Sequence, residues 1–205
     1  MEHSSIELGP FQDAGWAVAV RLDEADPLSE FADRFSRPEP DLIYLDGNSL
    51  GRLPLASVTA LHKVIDIEWG RDLIRAWPRR WWDLAAAIGN EMASLLGANS
   101  DEVVIADSTS VALYKLALGA LLANVDRDKI VTDDMNFPTD NYVLAAAAEV
   151  GEASSVVTVG SHDNLRGPVD DIIAALDERT ALLSLSHVTF KSGYLYDLGR
   201  LTRAA

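Results

Sequence analysis

The chain has 205 residues, of which 48% are hydrophobic and 24% charged, a composition typical of one globular domain with at most a small appendage. Its formal net charge of -15 would repel a polyphosphate, so nucleic acid is not an expected partner. Cysteine is absent, which excludes disulfides, thiolate nucleophiles and cysteine-ligated zinc.

The N-terminal sequence MEHSSIELGP has neither the basic nor the apolar region of a signal peptide. No apolar run reaches the about 18 residues of a membrane helix, so we expect a cytoplasmic protein with no membrane partner. A metal site is not expected either, because three of the histidines show no metal-type spacing with carboxylates: His3, His62 and His162.

The first part of the chain is predicted to be helical. Residues 12–36 have the pattern of two short helices with a break at Asp26-Pro27, and the segment SRPEPD that follows is a stiff connector. Two longer amphipathic helices are predicted over 55–70 and 82–96, the second ended by Gly97. We predict a helical arm with a turn segment over 1–70 and the main domain over 71–205.

From Asp101 onward, apolar strands alternate with helices. The predicted strands are 102–106, 128–132, 155–159 and 180–186, and the predicted helices are 110–122, 138–150 and 169–177. This βαβ pattern predicts an α/β fold with a parallel sheet covered on both faces. A further helix is predicted to begin near Asp197, so the sequence reads as an incomplete doubly wound domain, and we expect it to be part of a longer one.

Ligands of open parallel sheets bind beyond the carboxyl ends of the strands, and the first such junction here is ADSTSV, residues 106–111. Thr109 and Ser110 start a helix, where unpaired N–H groups and the helix dipole suit a phosphate. The same residues also suit a simple N-cap, and the pattern alone does not separate the two interpretations.

The second junction is NFPTDNY, residues 136–142. Pro138 is tolerated in a first helical turn, and Thr139 or Asp140 is expected to cap the helix. Phe137 is either a hydrophobic staple for that helix or a ring that stacks on a planar cofactor.

The third junction is SLSHVTFKSG, residues 184–193. His187 is either an acid, base or ligand, or a hydrogen-bonded structural residue. Lys191 is either a desolvated nucleophile or a solvated surface lysine. Before the sheet, the turn GNSLG, residues 47–51, lacks the spacing of a nucleotide-binding motif.

Taken together and in order, five segments resemble the N-terminal half of the kynureninases, which are pyridoxal-phosphate enzymes of the aspartate-aminotransferase fold, fold type I. They are YLDGNSLGRLP, a tryptophan-rich helix pair, DSTSVALYKL, NFPTDNY and LSHVTFKSGYLYDL, and they extend from about Asp41 to the end. The resemblance implies hydrolysis of L-kynurenine to anthranilate and L-alanine in tryptophan degradation, the kynurenine pathway and NAD biosynthesis. It also implies a cytoplasmic homodimer in the complete form.

The resemblance also implies roles for particular residues. Thr109 and Ser110 match the groups that hold the cofactor phosphate, and Phe137 matches the residue that stacks on the pyridine ring. The remaining matches are Pro138, Thr139 and Asp140 of the cofactor loop, Ser186 as a further cofactor contact, and Ser49 and Trp77 as substrate contacts. An indole at Trp77 would favour unsubstituted kynurenine over its 3-hydroxy relative, whereas the alternative is a buried structural tryptophan in a cluster with Trp81 and Trp82.

Nothing in the sequence matches the family's Schiff-base lysine, the tyrosine before it, or the aspartate that pairs with the pyridine nitrogen. The lysines are Lys63, Lys115, Lys129 and Lys191, and none stands in the expected setting. We therefore assign no catalytic residue and expect these 205 residues alone to be inactive. Two alternatives are a non-catalytic remnant and another fold type I enzyme of the desulfurase or aminotransferase kind.

Overall fold

The structure, a computed structural model, describes residues 10–153 and 155–205. His3 therefore lies outside the described residues. Two compact units are present, one ending at Leu84 and the other formed by Ala85–Ala205. The domain division expected after residue 70 stays a prediction.

In the unit that ends at Leu84, the predicted helices are present, but part of them has 3-10 or π-helical geometry. Helix α1 is Pro10–Ala25, a 3-10 turn follows over Ser29–Arg34, and helix α2 is Leu55–Lys63. The helix predicted over 55–70 continues from α2 as a π-helical stretch, Val64–Asp72. Glycine fits at position 70 because a larger residue would crowd the backbone: its Cβ would lie only 3.0 Å from the Ile65 carbonyl oxygen.

The second unit contains the sheet and most of the remaining helices. The bounds are α3 Trp82–Leu96, which starts before the unit boundary, α4 Thr109–Ala123, β1 Lys129–Asp133, α5 Pro138–Val150, β2 Ser155–Val159, α6 Val169–Ala175, β3 Thr180–Leu183 and α7 Leu198–Ala204. The strand order is β2-β1-β3, and both pairings are parallel. The predicted α/β class with a parallel sheet is confirmed.

Helices cover both faces of the sheet because side chains alternate along the central strand β1. Ile130 packs with α4 and α5 in one buried cluster that includes Leu121 and Leu144. Val131 points to the opposite face and packs with Ile172 of α6 and Leu201 of α7. All five residues of β1 are buried, as expected for the central strand of a covered parallel sheet.

One predicted strand is wrong. Residues 102–106 form no strand in the part of the chain that the structure describes, and the sheet has three strands instead of four. This segment lies against helix α3 instead, where the carbonyl oxygen of Val103 approaches so closely that a Cβ on Gly89 would lie 2.0 Å from it. An apolar run predicts burial, but strand formation also requires a partner strand, which the local sequence does not reveal.

Candidate functional site

At its carboxyl end, β1 leads into a turn that a buried carboxylate organises. Asp133 is fully buried, and its Oδ1 accepts hydrogen bonds from the backbone N–H groups of Met135 at 3.0 Å and Asn136 at 2.8 Å. Its Oδ2 accepts a hydrogen bond from the hydroxyl of Tyr196, which is also buried. The carboxylate thus fixes the path of the chain immediately before Phe137.

Burial sets the protonation behaviour of this pair. Removal from water raises the pKa of Asp133 above its ordinary value of 3.8, although the hydrogen bonds from Tyr196, Asn136 and Met135 act in the opposite direction. Burial, followed by the hydrogen bond to Asp133, also raises the pKa of Tyr196. The phenol therefore stays a hydrogen-bond donor at neutral pH.

A single asparagine connects the turn after β1 to the segment after β3. The Nδ2 of Asn136 donates to Thr132 Oγ1 at 2.8 Å and to the carbonyl oxygen of Ser184 at 3.2 Å. Its Oδ1 accepts from the backbone N–H of Ser186 at 2.7 Å. Asn136 itself is 4% exposed, so these bonds form largely away from water.

Phe137 projects from the start of α5. Its side chain is 51% exposed, and its ring makes an edge-to-face contact with Phe190, with centroids 5.1 Å apart and planes at 71°. A ring at this edge that is half open to solvent has a face available for a planar ligand.

The capping predicted for α5 is wrong. Phe137 occupies the N-cap position without a side-chain cap, and Pro138 is the first helical residue. Thr139 and Asp140 therefore lie inside the first turn and are half-buried. Burial raises the pKa of Asp140, while its position in the first turn favours the charged form through the helix dipole.

Thr109 and Ser110 form the first turn of α4, as the sequence predicts. Ser108 is the N-cap residue, and its Oγ accepts from the Val111 N–H at 3.4 Å. Because the cap is Ser108, the backbone N–H groups of Thr109 and Ser110 have no intrahelical acceptor. Ser110 is half-buried, whereas Thr109 is exposed.

The structure brings some of the predicted residues together. Ser186 follows β3, and its N–H donates to Asn136, the residue that immediately precedes Phe137. The loop of Phe137–Asp140 and Ser186 therefore lie beyond the carboxyl ends of neighbouring strands. Ser110 lines a groove of about 360 Å³ with Tyr142 of α5. In the ranges that the structure covers, no hydrogen bond joins Thr109 or Ser110 to Phe137, and the groove of Ser110 is not lined by Phe137.

Ser49 and Trp77 lie in the unit that ends at Leu84. The turn that carries the exposed Ser49 is held by the Tyr44 hydroxyl, which donates to the carbonyl oxygens of Leu50 at 2.5 Å and Asp46 at 3.1 Å. Two other residues that the sequence singled out, His187 and Lys191, are exposed side chains of the second unit.

Trp77 belongs to an aromatic cluster but is not buried. It is 46% exposed and makes edge-to-face contacts with Trp81 at 5.9 Å and Trp82 at 6.3 Å between ring centroids. A cavity of about 610 Å³ is lined by Trp77, Trp82 and four neighbours: Ile74, Arg75, Pro78 and Asp83. The predicted clustering of these tryptophans is confirmed. The alternative interpretation of Trp77 as a buried residue is wrong.

Sequence reasoning missed Asp133, Asn136, Phe190 and Tyr196. Asp133 and Asn136 belong to the segment that attracted attention, but a hydrogen-bond partner 50 or 63 positions away leaves no local signal. No group of three or more potential metal ligands occurs in 10–153 and 155–205, and no helix there is long and apolar enough to cross a membrane.

Comparison with known proteins shows which family this arrangement is similar to. The kynureninase of Pseudomonas fluorescens is 38% identical over 188 residues, which is 89% of this chain and 44% of that protein. The kynureninases of Burkholderia mallei (strain SAVP1) and Burkholderia pseudomallei (strain K96243) are 37% and 36% identical over 194 residues, which is 90% of this chain and 44% of each relative.

No family model matches the chain. The chain spans about 44% of the length of the curated relatives that it matches. The resemblance to kynureninases is confirmed over about nine tenths of the chain, and with it the expectation of a partial fold type I α/β domain.

Proposed function

We propose that the chain forms the cofactor-binding part of a kynureninase, a pyridoxal-phosphate-dependent hydrolase that cleaves L-kynurenine to anthranilate and L-alanine. The observation that carries this proposal is 36–38% identity to kynureninases over about nine tenths of the chain. Phe137 and Ser186 follow neighbouring strands of one sheet, which supports a shared site for the cofactor at that edge.

The residues at that edge fit pyridoxal phosphate. Phe137 offers an open aromatic face to a pyridine ring, and edge-to-face packing on Phe190 restrains its orientation. The unpaired N–H groups and hydroxyls of Thr109 and Ser110 suit the phosphate at the start of the 15-residue helix α4. Pro138, Thr139, Asp140 and Ser186 complete the proposed set of cofactor contacts.

When bound, pyridoxal phosphate supplies an electron sink through its pyridinium ring. These residues would bind and orient the cofactor: the start of α4 would hold the phosphate, Phe137 would stack on the ring, and Ser186 would make a further contact. None of the four lysines matches the one that carries the cofactor in the family, so we assign no proton transfer to a residue of this chain.

For the substrate, we propose contacts with Ser49 and Trp77. The half-exposed indole of Trp77 offers an apolar face for the aromatic end of kynurenine and no acceptor for a 3-hydroxyl group. We also propose that the complete protein is a cytoplasmic homodimer that acts in tryptophan degradation, in the branch that leads to NAD biosynthesis.

Two measurements test the proposal. In the first, the 205-residue chain is dialysed against pyridoxal phosphate and the bound fraction is read from absorbance. We expect saturable binding that a Thr109→Ala, Ser110→Ala double variant weakens. Ser94→Ala is the matched control, because the exposed Ser94 hydroxyl donates to the Glu91 carbonyl oxygen of its own helix and is not part of the proposed site. Absence of binding would contradict the proposed site.

In the second measurement, the polypeptide expressed from its own gene is supplied with pyridoxal phosphate and L-kynurenine, and anthranilate is followed by its fluorescence. We expect anthranilate from the full gene product and none from the 205 residues alone. Cofactor binding without any turnover would favour a non-catalytic remnant. Two parallel assays test the other reactions of this fold type. With a keto acid added to accept the amino group, transamination would favour an aminotransferase; with L-cysteine in place of L-kynurenine and a thiol reductant to take the sulfur, formation of alanine would favour a desulfurase.

A further inference from the structure

Asn136 has no assigned role, yet it is the residue through which two parts of the proposed site are joined. It immediately precedes Phe137, and its side-chain oxygen accepts the Ser186 N–H at 2.7 Å. The donors on its Nδ2 reach Thr132 on β1 and the Ser184 carbonyl oxygen after β3. One side chain therefore contacts both strand ends whose loops carry proposed cofactor contacts.

We infer that Asn136 is a positioning residue that fixes Ser186 relative to Phe137, so that both meet the same ligand. This inference rests on the proposed function. Neighbouring parallel strands are paired only as far as Val131 and Leu183, and the Ser184 N–H still donates to the Val131 carbonyl oxygen at 3.0 Å. Beyond that bond, the hydrogen bonds of Asn136 continue the connection between the strands where the backbone ladder has ended.

The chemistry of the amide suits this position. An asparagine side chain has one acceptor oxygen and two N–H donors, and here the oxygen and the nitrogen both have partners. A buried backbone N–H that loses its acceptor is costly, so the Ser186 segment is expected to move when Asn136 is truncated. Asp133 supports the arrangement by accepting the Asn136 N–H at 2.8 Å.

Asn141 of helix α5 provides a matched control. Asn141 donates from Nδ2 to the Asp133 carbonyl oxygen at 3.3 Å, and its Oδ1 accepts from Thr132 at 3.4 Å. It therefore belongs to the same polar cluster, but among the described residues its side chain makes no hydrogen bond to the segment after β3. Asn136→Ala and Asn141→Ala remove similar groups from this cluster, and only the first removes the bridge.

The first arm of the test needs no cofactor. Hydrogen exchange of individual amides is measured by NMR on the 205-residue chain and its variants. We expect Asn136→Ala to accelerate exchange at Ser186 by about tenfold or more, because the acceptor is lost, while exchange at Ser184 changes by less than about threefold. Equal acceleration at both amides would indicate general loosening of β3 and would overturn the inference, as would no acceleration at Ser186.

The second arm measures the affinity for pyridoxal phosphate by equilibrium dialysis. We expect Asn136→Ala to raise the dissociation constant by about tenfold and Asn141→Ala to change it by less than about threefold. Equal affinity of Asn136→Ala and the unaltered chain would overturn the inference. Failure of the unaltered chain to bind would instead contradict the proposed function, and the exchange experiment would then decide whether Asn136 couples the two segments.

A second measurement needs no variant and keeps the test decisive if Asn136→Ala does not fold. A hydrogen bond from the Ser186 N–H to Asn136 Oδ1 couples the Ser186 nitrogen to the side-chain carbonyl carbon of Asn136, and NMR of the isotope-labelled unaltered chain detects this coupling. We expect a resolved coupling between these two nuclei. Its absence, while the couplings across the backbone hydrogen bonds of β1 are resolved, would contradict the assigned hydrogen bond.

Discussion

The carboxylate of Asp133 lies fully buried at the end of β1, where two backbone amides and the Tyr196 hydroxyl donate to it. Such a group is stable only while its donors are present, because an unpaired buried oxygen costs the desolvation energy without the compensating bond. The hydroxyl of Tyr196 comes from a distant part of the chain, and it therefore joins the α7 side of the sheet to the turn before Phe137.

Replacing Tyr196 with Phe removes this donor and leaves the ring in place. We expect the free energy of unfolding to fall by about 1–3 kcal/mol, since one oxygen of a buried carboxylate loses its partner. Urea denaturation of the 205-residue chain measures the change.

Tyr194→Phe is the matched control. Its ring packs edge-to-face on Tyr196 with centroids 5.1 Å apart, and its hydroxyl makes no hydrogen bond within the described ranges. We expect a change within about 0.5 kcal/mol. A loss as large as that of Tyr196→Phe would show that the hydroxyl bond to Asp133 is not the cause.

The pKa of Asp133 predicts how stability depends on pH. Burial raises its folded pKa above the 3.8 of an exposed aspartate, so the folded state holds the proton more tightly than the unfolded state does. The resulting stabilisation is fully present below the unfolded pKa and is lost as the pH rises through the folded pKa.

Asp133→Asn removes this titration, and the amide oxygen can still accept from the neighbouring N–H groups. We expect the free energy of unfolding of the unaltered chain, minus that of Asp133→Asn, to decrease as the pH rises from about 3.8 through the folded pKa and then to become constant. Urea titrations across this range, with Asp126→Asn at an exposed position of the same unit as the control, measure the difference. A difference that rises with pH would mean that the folded pKa is lowered.

At the scale of elements, two helix-interior glycines occupy opposite environments. A Cβ on Gly89 of α3 would lie 2.0 Å from the Val103 carbonyl oxygen, whereas a Cβ on Gly119 of α4 would have open space within 4 Å. Helix propensity favours alanine over glycine by about 1 kcal/mol at both positions. Only the contact between α3 and the segment of Val103 distinguishes them.

We therefore expect opposite signs from the same substitution. Gly119→Ala should stabilise the chain by up to about 1 kcal/mol. Gly89→Ala should destabilise it by about 1–3 kcal/mol or more, because the atom that must move is backbone. Thermal unfolding of both variants measures this, and a stabilising Gly89→Ala would show that the segment of Val103 does not pack on α3.

The sequence predicted those elements that local residues mark and missed those that depend on distant partners. Helix α5 and strand β2 were predicted at their observed bounds, Pro138–Val150 and Ser155–Val159, because a proline in the first helical turn and the local apolar pattern mark them. The strand over 102–106 was wrong because pairing depends on distant residues. The π-helical stretch after α2 was likewise missed, since its local pattern is that of an ordinary amphipathic helix.

For the whole molecule, the candidate site combines segments that are far apart in the sequence. The motifs predicted the Phe137 loop and the Thr109-Ser110 helix start, because each is a local signal at a strand end or a helix start. The hydrogen bonds from the Ser186 N–H to Asn136 and from the Tyr196 hydroxyl to Asp133 join distant parts of the chain and could not be predicted locally.

Cofactor binding by the folded chain should raise its global stability. A ligand that binds only the folded state adds about 2.7 kcal/mol to the free energy of unfolding at 100 times its dissociation constant. We expect pyridoxal phosphate to stabilise the unaltered chain by about this amount at that concentration. At the same concentration, pyridoxal phosphate should raise the free energy of unfolding of Phe137→Leu by about 1 kcal/mol less, since aromatic stacking contributes about 0.5–1.5 kcal/mol beyond burial.

Thermal unfolding with increasing pyridoxal phosphate measures both gains, each relative to the same variant without ligand, so that any intrinsic effect of the substitution cancels. Phe31→Leu is the matched control, because Phe31 is also a partly exposed phenylalanine, 39% against 51% for Phe137, and is not part of the proposed site. Its gain should equal that of the unaltered chain. An equal gain for Phe137→Leu would mean that the cofactor ring does not lie on Phe137, because loss of a stacking partner must weaken a ligand that stacks there.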